Sequence, residues 1–419
     1  MDMMITPSRL SGTLDAIPSK SFAHRLLICA TLADRPTHMA LNGLSDDINA
    51  TIRCLKAMGC GIETRRGTLL VLPLGETRPP SVVLDCGESG STARFLLPLA
   101  ARLFDSFTLT GSGRLPGRPF APLCRALAGA GCFFDNDTLP LNGAGKMRAG
   151  DFSIEGDISS QFISGLLFAL PLLDGDSSVS LTTPLQSAAY VDMTIEVLAL
   201  FGIEIERTEW GFRVKGNQRY RSPGNVATEG DWSNAAFFLC MGALGGKVLL
   251  RGLSPQSTQG DREIMNILRR FGVNTNAGDD GCAVTAGVLR AINIDASQIP
   301  DLVPVLAVVA SAAAGETKIF NAQRLRIKES DRIQSTFDLL SGLGADVRIT
   351  GDGLEIRGKE RLSGGTVDGS GDHRIVMAAA TAACVCENPV VIRGCEAVTK
   401  SYPSFFGDYR AMGGAVDVV

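Results

Sequence analysis

Six short stretches decide how this chain is read: Leu55-Lys56-Ala57-Met58-Gly59, Leu127-Ala128-Gly129-Ala130-Gly131, Leu198-Ala199-Leu200-Phe201-Gly202, Leu268-Arg269-Arg270-Phe271-Gly272, Leu340-Ser341-Gly342-Leu343-Gly344 and Tyr409-Arg410-Ala411-Met412-Gly413. Each closes an apolar helical pattern with glycine, the residue that most easily takes the left-handed turn just past a helix end. Successive closing glycines are 72, 71, 70, 72 and 69 residues apart, by difference of their positions. A fixed period of this length marks a repeated supersecondary unit. In several copies a polar–apolar alternation follows. Over 203–214, around Trp210-Gly211, and over 345–356, around Gly351-Asp352-Gly353, it predicts a hairpin.

Outward from these stretches a second pattern recurs with nearly the same period. Residues 26–32, 95–103, 162–173, 235–244, 302–314 and 375–386 are apolar almost all round. Helices of that kind are buried inside their domain. Each is preceded by polar residues: Ser19-Lys20-Ser21, Glu88-Ser89-Gly90-Ser91-Thr92, Asp157 to Gln161, Asp231 to Asn234, Asp301, and Asp372-His373-Arg374. Such residues cap helices. Helix starts also carry partial positive charge and unpaired N–H groups, so converging starts would make an anion site.

The expected fold is therefore α/β, with six repeats in two similar domains of three. The first strand, read over 6–17, precedes the first polar cluster and is expected to pair with the second half of the chain. The domain boundaries expected are 1–18 plus 229–419 for one and 19–228 for the other.

Composition narrows the function. The chain has 419 residues, too many for one ordinary core. Its 40 Lys+Arg against 44 Asp+Glu leave a net charge of −4, so no basic face for nucleic acid is indicated and any anion site must be a local cluster. Eleven scattered cysteines without a CxxC pair read as buried free thiols in a reducing compartment, and a cytoplasmic location is expected. The first nine residues lack the apolar stretch of a signal peptide. No apolar run is long enough to span a membrane. With three histidines, a His-based metal site is not expected.

Several segments carry more charge than capping needs. In Leu325-Arg326-Ile327-Lys328-Glu329-Ser330-Asp331-Arg332, a helical reading makes Lys328 and Arg332 i,i+4 neighbours with Glu329 beside them. Lys20-Ser21 with Arg25 puts two cations and a hydroxyl within one and a half turns. The loop Ser112 to Pro119 carries Arg114 and Arg118, and Lys400-Ser401-Tyr402-Pro403 ends the series.

These motifs, in order, resemble the EPSP synthase family of enolpyruvyl transferases. The matching positions are Ser19-Lys20-Ser21 with Arg25, Gly87 to Ser91 with Arg94, Arg118-Pro119, Ser159-Ser160-Gln161, Ser187 with Tyr190, Asp301, Lys328 to Arg332, Asp372-His373-Arg374 and Lys400. Any one match is weak, but the ordered set covers nearly the whole chain. The resemblance implies two domains of three βαβαββ units each, closing over an interdomain cleft. It implies transfer of the enolpyruvyl group of phosphoenolpyruvate to the 5-hydroxyl of shikimate 3-phosphate by addition and elimination, with no cofactor or metal, in an enzyme that is usually a monomer.

By the same resemblance, Lys20, Gly90, Arg118, Gln161, Arg332, Arg374 and Lys400 border phosphoenolpyruvate. Lys20, Ser21, Arg25, Ser159, Ser160, Gln161, Ser187, Tyr190, Asp301 and Lys328 hold shikimate 3-phosphate. Lys20 and Asp301 act on the hydroxyl and Glu329 on the methylene carbon. Gly90 fits the small residue beside the pocket, so inhibition by glyphosate is expected. Three positions depart from the pattern. Glu88 stands where many members have Asn and needs a partner, for which Arg94 is the candidate. Arg324 stands where many have Asn, and Phe95 where some have Pro. His373 has no assigned role.

Two relatives fit less well. The enolpyruvyl transferase acting on a UDP-sugar has Lys-Asn at Lys20-Ser21 and a reactive Cys in the loop that is Gly111 to Gly117 here. RNA 3′-terminal phosphate cyclase shares the repeat, but no nucleotide motif or basic face is present. A scaffold without catalysis would not need Lys20, Asp301, Glu329 and Lys400 together.

Overall fold

The six closing glycines all take positive φ, from 76° at Gly202 to 104° at Gly59. They end the helices Asp46–Ala57, Ala121–Gly129, Ala188–Leu200, Ile264–Arg270, Arg332–Gly342 and Phe405–Ala411 within two residues. The computed structural model describes every residue except Asn42, Arg66, Glu76, Thr77 and Asp279.

Among the described residues there are six four-stranded sheets, all wired alike. Ser81–Asp85, Ser106–Thr110, Phe133–Phe134 and Leu141–Ala144 illustrate the plan. The first two strands are parallel, with Val82 opposite Phe107 and Leu84 opposite Leu109. The fourth strand pairs antiparallel with the second and with the third. A parallel pair needs a crossover, and the buried helix supplies it. The hairpins predicted over 203–214 and 345–356 form as Ile205–Thr208 with Gly211–Val214 and Asp346–Ile349 with Leu354–Arg357.

The chain falls into two compact units, 1–17 with 229–419 and 18–228. Each has its own core. In the first it is built on the helices Trp232–Ala243, Val303–Ser311 and His373–Ala382, in which every residue is buried. In the second it is built on Lys20–Leu32, Gly90–Leu103 and Ser160–Ala169. Gly165 lets the last two approach closely, since a Cβ there would collide with the Arg94 carbonyl. All eleven cysteines are buried with free thiols.

Two expectations need correction. The N-terminal segment is two strands rather than one. Met3–Thr6 lies between Val390–Arg393 and Ala415–Val418, and Ser11–Asp15 runs parallel to Lys247–Arg251. Pro7, which has no N–H to give a ladder, follows directly on the first. The segment 325–332 is not one helix. A 3-10 turn spans Gln323–Ile327, Lys328 is extended, and an α-helix starts anew at Arg332. Asp331 competes for the backbone there: its side chain accepts from Gln334 N at 3.2 Å and caps the new helix.

Candidate active site

The polar clusters occupy the helix starts, as capping demands. Ser19, Ser89, Ser159, Asp231 and Asp372 each accept a backbone N–H in the first turn of a buried helix. A cap of this kind stabilises by about 1 kcal/mol. The sixth start differs. Val303–Ser311 has no side-chain cap and is entered through the 3-10 turn Pro300–Leu302, so Asp301 serves other partners.

In the unit 18–228, Lys20 opens its helix and points Nζ at Asp47 Oδ2, 2.7 Å away. Arg25, one turn further, is buried and heavily committed. Nε donates to Thr194 Oγ1 at 2.8 Å, and its terminal nitrogens donate to the carbonyls of Ser21 and Tyr190, each at 2.7 Å. Phe95 lies under the guanidinium at 5.0 Å. Burial lowers its pKa to about 10, with the Tyr190 side chain opposing. Tyr190 follows Ser187, which stands in the left-handed region at φ 53° just before Ala188–Leu200.

The Gly90 helix start meets Arg118. A Cβ at Gly90 would lie 2.7 Å from Arg118 Nη1, so the guanidinium rests against bare backbone. Arg94 donates to Gln161 Oε1 at 2.8 Å, and Gln161 Nε2 donates to Ser91 Oγ at 2.8 Å. Arg94 is also sandwiched by Phe120 and Phe162, 5.6 and 5.2 Å from their centroids. It thus ties the second and third helix starts of the unit together. Ser160 is buried beside its cap Ser159. The Glu88 carboxylate packs on Gly113, where a Cβ would overlap it.

In the other unit the centre is Arg332, 1% exposed. Three carboxylates surround it at 2.7 Å: Asp301 on Nη1, Glu329 on Nη2 and Asp372 on Nε. Burial alone would lower its pKa, but Asp372, Glu329 and Asp301 outweigh it and raise the value. Asp301 also receives Arg374 Nη2 at 3.2 Å and has Lys328 Nζ at 3.9 Å. Burial works to raise its pKa, yet Arg374, Lys328 and Arg332 hold it well below the usual carboxylate range. Lys328 keeps a quarter of its side chain exposed, but burial, helped by Arg324 and Arg332, lowers it to about 8.

Asp372 binds the cluster to its helix. It accepts from Ser330 Oγ at 3.1 Å and from Arg374 N at 3.0 Å besides Arg332. His373 is buried beside it, with Nδ1 3.7 Å from Asp372 Oδ1. Lys400, at the end of the turn Cys395–Lys400, donates to Gly371 O at 2.7 Å, in the loop leading to Arg374. Arg324 turns to Ser297 O at 2.7 Å.

Sequence reasoning thus named Asp301, Lys328, Glu329, Arg332 and Arg374, which the structure gathers into one network. It missed Asp47, which reads as an ordinary acid in a first helical turn, and Thr194, which carries no signal beyond its place one turn after Tyr190. It used Asp372 as a cap and as part of the Asp372-His373-Arg374 motif, without foreseeing its bond to Arg332.

Fold and site together describe a six-repeat α/β protein in which the starts of buried helices carry cations, several of them paired with buried or half-buried carboxylates. The family model described as EPSP synthase (3-phosphoshikimate 1-carboxyvinyltransferase) matches residues 4–409. Among curated relatives, the 3-phosphoshikimate 1-carboxyvinyltransferase of Clostridium novyi is 42% identical, covering 99% of this chain and 98% of its own. That of Clostridium kluyveri is 43% identical over 99% and 97%. A solved EPSP synthase from Acinetobacter baumannii superimposes with a TM-score of 0.81 at 25% identity over all of both chains. The chain belongs to the EPSP synthase family. Among the described residues no helix is long and apolar enough to cross a membrane.

Proposed function

We propose that this chain transfers the enolpyruvyl group of phosphoenolpyruvate to the 5-hydroxyl of shikimate 3-phosphate, releasing inorganic phosphate. The observation that carries the reading is the Arg332 network, which holds an acid for each proton transfer, Asp301 and Glu329, on one buried cation. In the addition, the 5-oxygen bonds to C2 of phosphoenolpyruvate. Its proton leaves toward Asp301 and Lys20, while Glu329 delivers a proton to the methylene carbon. The elimination returns that proton to Glu329 as the C2–O bond to phosphate breaks.

Arg118, Arg332, Arg374, Lys400 and Lys20 hold phosphoenolpyruvate, with Gly90 leaving room and Gln161 alongside. Planar guanidinium groups match its phosphate and carboxylate bidentately. Ser21, Arg25, Ser159, Ser160, Gln161, Ser187, Tyr190, Lys328 and Asp301 hold shikimate 3-phosphate. Glyphosate competes beside Gly90. The enzyme works as a monomer in the cytoplasm, a setting that eleven free thiols favour.

Phosphate release from phosphoenolpyruvate is the direct measurement, and it should depend strictly on shikimate 3-phosphate. No release from folded protein would overturn the reading. Glu329→Gln should lower kcat by about 10²–10⁴-fold while shikimate 3-phosphate binding, followed by calorimetry, stays near wild type. The reverse pattern would make Glu329 a structural partner of Arg332.

A further inference from the structure

Three helices of the unit 18–228 meet at one hydroxyl that the reaction as described above does not use. Thr194, on Ala188–Leu200, is wholly buried. Its Oγ1 accepts from Nε of Arg25, on Lys20–Leu32, at 2.8 Å. It has one proton to give, and two oxygens stand in reach of it: Ser164 Oγ, on Ser160–Ala169, at 2.8 Å, and the Tyr190 carbonyl at 3.0 Å. A bond to the carbonyl four residues back is what a threonine inside a helix commonly makes. The bonds to Ser164 and Arg25 go beyond that. Arg25 itself has five N–H groups. Thr194 takes the one on Nε, and the carbonyls of Ser21 and Tyr190 take one from each terminal nitrogen. These partners are all neutral oxygens. One N–H on each terminal nitrogen is left, the pair with which a guanidinium grips two oxygens of an anion side by side. The Phe95 ring lies under the group at 5.0 Å, so its edge is set by hydrogen bonds.

We propose that Thr194 is a positioning residue for shikimate 3-phosphate, its hydroxyl holding the Arg25 guanidinium in the orientation that binds an anionic group of the ligand. The proposal rests on the reading of Arg25 as a shikimate 3-phosphate ligand. Ser164 supports the arrangement by taking the threonine's proton, which leaves the lone pairs of Oγ1 for Arg25. Without that oxygen the Nε–H would be buried and unpaired, which is costly. The guanidinium would then turn to satisfy it, at the expense of the pair of N–H groups left for the ligand. The loss falls on binding of shikimate 3-phosphate and not on the proton transfers, because no group that moves a proton touches Thr194 in this arrangement.

The test is steady-state kinetics on the wild type, Thr194→Val, Thr194→Ser, Arg25→Met and the double variant Thr194→Val with Arg25→Met. Valine keeps the shape of threonine and loses the hydroxyl. It should raise KM for shikimate 3-phosphate by about tenfold, as expected when a buried charged donor loses its partner. Its kcat and its KM for phosphoenolpyruvate should stay within about threefold of wild type. Serine restores the hydroxyl and should bring KM for shikimate 3-phosphate back to within about threefold. Arg25→Met should raise that KM by about a hundredfold. In that background Thr194→Val should change it by less than about twofold, because a residue that acts through Arg25 has nothing left to act on. Thermal melting checks that each variant is folded. An unchanged KM in folded Thr194→Val would overturn the proposal. So would a second full tenfold loss in the Arg25→Met background, which is the additive pattern of a purely structural residue. If Thr194→Val does not fold, Thr194→Ala takes its place under the same two criteria. A wild-type KM for shikimate 3-phosphate in Arg25→Met would instead remove the underlying reading of Arg25.

Discussion

Gly90 shows what a single residue decides. An added methyl would sit 2.7 Å from Arg118 Nη1 and 3.0 Å from Cζ. The guanidinium must yield, because it is the flexible end of a side chain while the helix start is fixed by its cap. Gly90→Ala should raise KM for phosphoenolpyruvate by about tenfold, weaken glyphosate inhibition by more, and leave KM for shikimate 3-phosphate unchanged. Unaltered values for phosphoenolpyruvate and glyphosate would show that Arg118 does not meet either. Lys328 makes a second residue-scale prediction. Its ammonium has a pKa of about 8, so it is charged below that pH and neutral above it. A phosphate ligand favours the charged form. For the free enzyme, kcat/KM for shikimate 3-phosphate should fall about tenfold per unit as pH rises beyond 8. In Lys328→Met the value should be low throughout and this limb absent. A wild-type profile flat across pH 8 would remove Lys328 from the phosphate. Much of this chemistry was legible, since residue types and their order along the chain pointed to the reaction. The partners were not, because Asp47 and Lys20 are far apart in sequence and meet only through packing.

At the scale of elements, helix starts were legible and their geometry was only partly so. Ser and Asp before apolar runs mark caps on local grounds, and five of six behave so. The reading of 325–332 as one helix failed because period alone cannot see that Asp331 ends one element and caps the next. That break has a consequence, since Arg332 is buried as the first residue of its own helix rather than standing one turn beyond Lys328 on a shared one. Asp372 is the matching element on the facing helix. Burial would raise its pKa, but Arg332 outweighs this and the value is lowered. The stabilisation is therefore present above the unfolded carboxylate value near 3.9 and is lost as pH falls through the lower folded value. Asp372→Asn keeps the cap and removes the charge. It should destabilise by about 1–3 kcal/mol at pH 7, and the gap to wild type should close in acid. Denaturant titrations at pH 7 and pH 3 would measure this, and an equal gap at both would mean the charge is not what matters.

At the scale of the molecule, the repeats were visible because each must end its helix in glycine, a local demand that sequence records directly. The sheet edges were not, because pairing joins residues hundreds of positions apart. Asn225–Ala227 completes the sheet of Thr37–Ala40. Around that join Ser222 N donates to Asp34 Oδ1 at 2.9 Å, and Arg35 and Thr37 both bond Ser222. The segment 18–228 therefore closes on itself, with three complete sheets and its own core. It should fold alone with a cooperative thermal transition. The segment 229–419 should not. Without Met3–Thr6 the strands Val390–Arg393 and Ala415–Val418 lose the neighbour that joins them, and without Ser11–Asp15 the strand Lys247–Arg251 becomes an open edge. Open edges aggregate. Adding a peptide of residues 1–17 should restore circular dichroism and solubility to 229–419. A cooperative, soluble 229–419 unaffected by that peptide would show that the N-terminal strands decorate the unit without completing it.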